Sequence, residues 1–207
     1  HRVDRRQRQM CIRDRVTSYG KTPMAVQRVG SQIEALAWMI ASGFQVALAS
    51  FVGQNFGAKN FERVKEGFKT SMKLLVPYGI LVNVVLFVFA RPLMDIFLDG
   101  EETLQIGKTY LEILSFSQLF MIIELATAGA FNGLGKTKFP SAVGVIGNSL
   151  RVPLAIVMSA SLGYAGIWWG VSISSVAKGI ILLTLFILYL RRVKKQGGMF
   201  VENKVAL

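Results

Sequence analysis

Residues 25–60 read AVQRVGSQIEALAWMIASGFQVALASFVGQNFGAKN and carry the strongest structural signal in the chain. The segment is long enough to cross a bilayer, because about 20 helical residues cover roughly 30 Å of hydrocarbon. At about 100° per residue, its polar side chains fall on one side of a helix. They are Gln27, Ser31, Glu34, Trp38, Ser42 and Gln45. A polar stripe on a spanning helix predicts that this side faces protein or a cavity instead of lipid.

Composition places the whole chain in a membrane. Of its 207 residues, 52% are hydrophobic and 17% are charged, whereas a soluble domain carries about 25% charged residues. The net charge of +12 does not indicate a nucleic-acid partner, because the basic residues lie between apolar blocks and not on one soluble face. A single Cys and a single His provide neither a disulfide framework nor a metal site. The sequence predicts an all-α, polytopic transmembrane helical bundle.

The N-terminal segment, residues 1–15, differs from the rest of the chain. It reads HRVDRRQRQMCIRDR and has no apolar core of the kind found in a signal peptide. We interpret it as a non-native or disordered basic segment, resembling translated adapter sequence. Residues 16–195 are then predicted to form the transmembrane lobe and residues 196–207 a cytoplasmic tail.

Five spanning helices are predicted in the lobe. They cover residues 23–51, 71–90, 104–131, 140–161 and 165–190. The first and third connections and the tail are basic, whereas the second is acidic and the fourth is uncharged. By the positive-inside rule, this alternation predicts a multi-pass protein with a cytoplasmic C-terminus. We expect it in the plasma (inner) membrane. Trp168 and Trp169 are then expected at the outer interface.

The stretch NGLGKT at residues 132–137 looks like part of a phosphate-binding loop. That motif needs a glycine at position 130, where this chain has Ala130, and it follows a strand instead of a helix. We therefore predict a glycine-capped helix end followed by lysines, and no nucleotide site.

Three segments together resemble the multidrug and toxic compound extrusion (MATE) family. They are FVGQNFGAKNFERVKEG, GAFNGLGKTKFPSAVGVIGNSLRVPLA and LGYAGIWWGVSIS followed by a basic tail. The resemblance implies a two-lobe antiporter of twelve helices that exports organic cations in exchange for Na⁺ or H⁺. It implies that this chain is a C-terminal fragment holding five helices of a six-helix lobe. The partners implied are the lipid bilayer, the organic cations and the missing N-terminal lobe.

Four ionisable residues lie within the predicted spans: Glu34, Glu124, Arg151 and Lys178. Such residues are costly in lipid, and they often mark ion or substrate paths. An alternative is that they neutralise one another as buried pairs. The candidate cation and substrate ligands are Glu34, Glu124, Gln27, Gln45, Ser31, Tyr110, Ser117, Asn148 and Arg151. Glu124 is expected to couple transport most strongly, although the resemblance places the family's acid about one turn away, at Met121.

Two other functions stay open. One is a lipid-linked oligosaccharide flippase of the same wider superfamily, whose cavity would be more basic; Arg151 and Lys178 favour it. The other is a membrane assembly subunit without a transport path. No hydrolytic or redox constellation is present in the sequence, so we do not expect an enzyme, a bound metal or a cofactor beyond the coupling ion.

Overall fold

A computed structural model of the protein describes residues 21–195. The predicted basic segment 1–15 and the predicted tail 196–207 lie outside the described residues. In the part described, the chain forms helices and no strand. The helices are α1 (Lys21–Gly57), α2 (Phe61–Val88), α3 (Ala90–Asp95), α4 (Glu101–Gly133) and α5 (Lys138–Lys195). α1, α2, α4 and α5 are long and apolar enough to cross a membrane.

α5 is a helical hairpin that reverses at Gly163. The backbone there has φ 60° and ψ −139°, a conformation that is accessible almost only to glycine. The two arms, residues 138–162 and 164–195, run antiparallel, because the Ser174 hydroxyl reaches the carbonyl of Gly147 at 3.2 Å. Each arm exceeds the roughly 20 residues that a span needs. The described chain therefore has five helical segments long enough to cross a membrane, the number that the sequence predicts.

Small residues allow the arms of α5 to pack closely. Gly166 and Gly170 face the opposite arm so tightly that a Cβ atom at either position would meet the backbone of Met158 or Ala155. Ser174 continues the same row at four-residue spacing. This arrangement is typical of membrane helices, whose association depends on close backbone approach.

α4 is the central helix of the bundle. It packs against α1, α2, α3 and α5, and most of its apolar span is buried. α1 runs parallel to it, since Gly30 lies against Tyr110 and Gly53 against Gly133. The outer faces of α1 and α2 are apolar and exposed, as lipid contact requires.

Two apolar clusters fill the interior at different levels. One includes Val64, Phe68, Phe131 and Phe186 and lies toward the α1–α2 turn. The other includes Met94, Tyr110, Leu111 and Trp168 and lies toward the Gly163 reversal. Ser115, Ser117 and Gln118 of α4 are fully buried between these levels. Buried polar side chains of α4 therefore lie near the middle of the bundle.

The helices are longer than the sequence predicted. α2 begins at Phe61 instead of residue 71, because Asn60 caps it by accepting a hydrogen bond from the Arg63 backbone at 3.2 Å. The short helix α3 was not predicted. NGLGKT forms the end of α4 and the turn after it, with Gly135 at φ 69°, so the prediction of a capped helix end is confirmed.

The prediction for Trp168 is wrong in one respect. Its ring lies at the Gly163 end of the bundle, but it is only 1% exposed and packs edge-on against Tyr110, with the ring centroids 5.0 Å apart. Trp169 is half-buried and stacks on Phe116. Trp168 is thus a core residue and not an interfacial anchor, because α4 covers the face of α5 on which it lies.

Candidate functional site

An ion pair between Glu124 and Lys178 joins α4 to the second arm of α5. The Nζ atom of Lys178 lies 3.2 Å from both carboxylate oxygens of Glu124. The side chain of Glu124 is 19% exposed and that of Lys178 is 9% exposed. The stem of Lys178 passes over Gly147, where a Cβ atom would collide with it. The alternative of buried pairing is therefore correct for these two residues.

Arg151 of the first α5 arm is held by hydroxyl groups of the second arm. Its Nη2 atom donates to Ser175 Oγ at 2.8 Å, and its Nε atom donates to Ser174 Oγ at 3.3 Å. The charge of Arg151 acts electrostatically on both Glu34 and Glu124. This guanidinium therefore connects the α5 hairpin with the acids of α1 and α4.

Glu34 is the most deeply buried acid in the described residues. It is 4% exposed, and its Oε1 atom has no hydrogen-bond partner in residues 21–195. An unpaired buried carboxylate is costly, so such an atom usually marks the place of a water, an ion or a ligand. Its charge also acts on the hydroxyl of Tyr110, on α4.

Two amide side chains, Gln118 and Gln27, also have buried polar atoms. Gln118 Oε1 accepts a hydrogen bond from Trp38 Nε1 at 3.0 Å, which joins α4 to α1. In the part of the chain that the structure describes, Gln118 Nε2, Gln27 Oε1 and Trp168 Nε1 have no hydrogen-bond partner. Both hydrogen-bond donors and hydrogen-bond acceptors are thus available to a bound polar molecule.

The structure places the remaining predicted ligands unevenly. Tyr110 and Ser117 are buried, Gln27, Gln45 and Asn148 are partly buried, and Ser31 is exposed. The hydroxyl of Ser31 donates to its own helix, at Arg28 O, at 2.9 Å. The described residues thus bring together the charges of Glu34, Glu124 and Arg151, whereas Ser31 points away from them. Whether any of these residues binds an ion or substrate remains a prediction.

Four residues of this region were not among the predicted ligands: Lys178, Gln118, Ser174 and Ser175. The sequence indicates a role for Lys178, since it is a base inside an apolar span. Gln118 had a weaker signal, an amide among apolar neighbours on α4. The two serines gave no signal, because serine is common in membrane helices and their contact with Arg151 depends on the hairpin.

The site offers carboxylates and amide oxygens to a cation, balanced by two fixed positive charges. No group of three or more metal-ligating side chains occurs in the residues that the structure covers. Two carboxylates, Glu34 and Glu124, face two bases, Arg151 and Lys178, so the charges of this region balance.

Comparison with known proteins identifies the family. The family model described as MatE matches residues 9–157. The probable multidrug resistance protein NorM of Thermotoga maritima is 29% identical over 171 residues, which cover 81% of this chain and 37% of that protein. Human multidrug and toxin extrusion protein 1 is 23% identical, with 81% of this chain and 30% of that protein covered. The chain thus spans about a third of the length of these relatives.

A solved structure shares the fold. The MATE transporter VcmN of Vibrio cholerae, in its bent form, superimposes with a TM-score of 0.84 at 20% sequence identity. The superposition covers 92% of this chain and 44% of VcmN. Together with the family match over most of the sequence, these likenesses show that the chain belongs to the MatE family, the MATE family of multidrug efflux transporters.

Proposed function

We propose that this chain is part of a cation-coupled antiporter that exports organic cations in exchange for Na⁺ or H⁺. The observation that carries the proposal is the carboxylate of Glu34, which is buried in the bundle with one oxygen unpaired. The relatives named above are a probable multidrug resistance protein and a multidrug and toxin extrusion protein, and the fold shared with a MATE transporter supports a transport role. The proposal includes a partner lobe, since alternating access requires two units that move about a site between them.

Exchange follows from competition for one carboxylate. A buried negative charge is unfavourable until a cation neutralises it. The coupling cation and the organic cation both satisfy Glu34, but they cannot do so at once. Binding of one therefore promotes release of the other, and transport in one direction drives transport in the opposite direction.

The ion pair changes which of the two acids we expect to be the main coupling residue. Glu124 is engaged by Lys178, so its charge is already compensated when the site is empty. Glu34 Oε1 has no such partner among the described residues. We therefore propose Glu34 as the primary coupling residue, with Arg151 limiting how strongly cations are held there.

The test uses Glu34→Gln in a two-lobe transporter that carries this chain, reconstituted into vesicles. Efflux of a fluorescent organic cation is measured under an imposed Na⁺ gradient and, separately, under a pH gradient. We expect the rate to fall by about tenfold or more, which corresponds to about 1.4 kcal/mol of lost interaction. The gradient that drives wild-type efflux identifies the coupling ion.

Glu101→Gln is the matched control, because Glu101 is exposed at the start of α4 and pairs with Arg91 at 2.9 Å. It removes the same charge outside the bundle, and its efflux should equal that of the wild type. Wild-type efflux from the Glu34→Gln protein would contradict the proposal.

The flippase remains a second candidate because of Arg151. In the part of the chain that the structure describes, Arg151 donates to hydroxyl groups and not to a carboxylate, so its charge could hold an anionic phosphate. This function predicts that Arg151→Gln abolishes translocation of an anionic lipid-linked substrate. The antiporter predicts no such translocation by the wild type.

A further inference from the structure

A concave site lies at the end of the bundle where α1 turns into α2. The cavity has a volume of about 910 Å³ and lies between this turn and the last turns of α5. Four basic side chains and one acidic side chain line it. They are Lys59, Lys65, Lys69, Arg191 and Glu62. The charged lining therefore has a net charge of +3, far from the polar region around Glu34.

Glu62 does not neutralise the positive charge of the cavity lining. Glu62 pairs with Lys65 at 3.6 Å, and the two side chains are 75% and 50% exposed. A loose, exposed pair of this kind is weak. Lys59, Lys69 and Arg191 remain as positive charges around the cavity, so the site favours an anion.

The local backbone strengthens that preference. Lys59 adopts a left-handed conformation with φ 58°, and Asn60 then caps the first turn of α2. The N-terminus of α2, where its dipole is positive, thus lies in the wall of the cavity. The tight turn also leaves Lys59 exposed at the rim.

The floor of the cavity is apolar. It is formed by Phe61, Phe68, Ile187, Leu190 and Val193. Phe68 is buried against Phe186, with ring centroids 4.4 Å apart, so the floor is fixed. Ile187 is 39% exposed and continues the apolar surface of α5 toward the middle of the bundle.

We propose that this cavity binds an anionic phospholipid, with the phosphate held by Lys59, Lys69 and Arg191 and an acyl chain lying along Ile187 and Leu190. A basic rim above an apolar floor matches the amphipathic structure of such a lipid. The position also matches, because the cavity lies at the end of spanning helices, at the level of lipid headgroups. A free phosphate would use the rim but would gain nothing from the floor.

The test is native mass spectrometry of the full chain in a mild detergent, with phosphatidylglycerol and phosphatidylcholine of identical acyl chains. The pocket variant replaces the four basic lining residues with Gln: Lys59, Lys65, Lys69 and Arg191. The control variant makes the same replacement at four basic residues at the same end that do not line the cavity: Arg63, Lys73, Lys136 and Lys138.

The wild type should retain one phosphatidylglycerol about tenfold more strongly than phosphatidylcholine. The pocket variant should lose this preference, and the control variant should keep it to within about twofold. Equal losses in both variants would show a diffuse attraction to charge and overturn the proposal. A pocket variant with wild-type preference would also overturn it.

Ile187→Trp tests the apolar floor without changing a charge, and it addresses the case in which the pocket variant does not fold. The larger side chain fills the path of the acyl chain, so phosphatidylglycerol retention should fall about tenfold. Competition separates the two sources of phosphate. Dihexanoyl phosphatidylglycerol should displace the lipid, whereas inorganic phosphate at equal concentration should not. Equal displacement would identify the ligand as free phosphate and refute the lipid assignment.

Discussion

At the residue scale, Lys178 determines how the two interior acids differ. It reaches Glu124 across the interface between α4 and α5, with Nζ 3.2 Å from either oxygen. Among the described residues no base forms an ion pair with Glu34, and the charge of Arg151 acts on it electrostatically. In our proposal, the paired acid stabilises the bundle and the unpaired acid exchanges cations.

A double-mutant cycle tests the structural role of the pair. Glu124→Gln alone leaves Lys178 buried without its partner, so it should destabilise the protein by about 3–5 kcal/mol. The double variant Glu124→Gln/Lys178→Met removes both charges and should recover at least half of that loss, since an apolar replacement of a buried pair is often neutral. The measurement is the free energy of unfolding in detergent with denaturant.

Glu101→Gln provides the control for this cycle as well. Its pair with Arg91 is exposed, so the loss should be about 0–1 kcal/mol. If the double variant were as unstable as Glu124→Gln, the pair would contribute nothing as a pair, and Glu124 would have another structural role.

Sequence patterns reveal such residues but not their partners. A charge inside an apolar span is visible in the sequence, and all four interior charges were found in this way. The pairing depends on which faces of α4 and α5 meet, and the hydrophobic pattern of a membrane helix does not specify that contact, because lipid and protein faces are both apolar. The unpaired atoms of Glu34, Gln118 and Gln27 were invisible for the same reason.

At the element scale, the α5 hairpin controls the position of Arg151. The guanidinium meets Ser174 and Ser175 only because the chain reverses within a single residue at Gly163. The sequence predicted two helices with a short uncharged connection here, and the structure confirms both. It did not predict a reversal that leaves almost no loop, because the sharpness of the turn depends on the backbone angles of one glycine.

Gly163→Ala should destabilise the hairpin by about 1–3 kcal/mol, because alanine disfavours φ 60° with ψ −139°. Gly144→Ala in the same helix is the matched control. An added Cβ atom there meets nothing within 4 Å, and alanine favours a helix by about 0.5–1 kcal/mol over glycine. Thermal unfolding followed by circular dichroism distinguishes the two variants. Equal stability of both would show that the reversal does not depend on the glycine conformation.

The central position of α4 is a second feature that the sequence does not reveal. The apolar span of α4 is 61% buried inside the protein, against 22% for α1, although the two spans are similarly hydrophobic. Hydropathy measures suitability for an apolar environment and does not distinguish lipid from protein. The small residues of α4 that allow close approach, Gly129 against Gln45 and Gly133 against Ala49, are a better indicator of its position.

At the scale of the whole molecule, the basic connections gather at one end of the bundle. The α1–α2 turn and the end of α5 line one cavity. The α4–α5 connection lies at the same end, since Phe131 stacks on Phe139 and contacts Tyr189. The acidic connection leads into the start of α4 at Glu101 and therefore lies at the opposite end. The alternation predicted from the sequence is thus confirmed as an arrangement, and the side of the membrane remains a prediction.

Cysteine labelling in intact cells tests that side. In a chain with Cys11→Ser, single cysteines replace Lys65, Lys136 or Glu101. By the positive-inside rule, the first two should react with a membrane-impermeant maleimide only after the cells are opened, and the third should react from outside. Labelling of Lys65→Cys and Lys136→Cys from outside, with Glu101→Cys protected, would show the opposite orientation of the same fold. Opposite accessibility of Lys65→Cys and Lys136→Cys would contradict the fold itself, because five crossings with α1 parallel to α4 place both connections on one side.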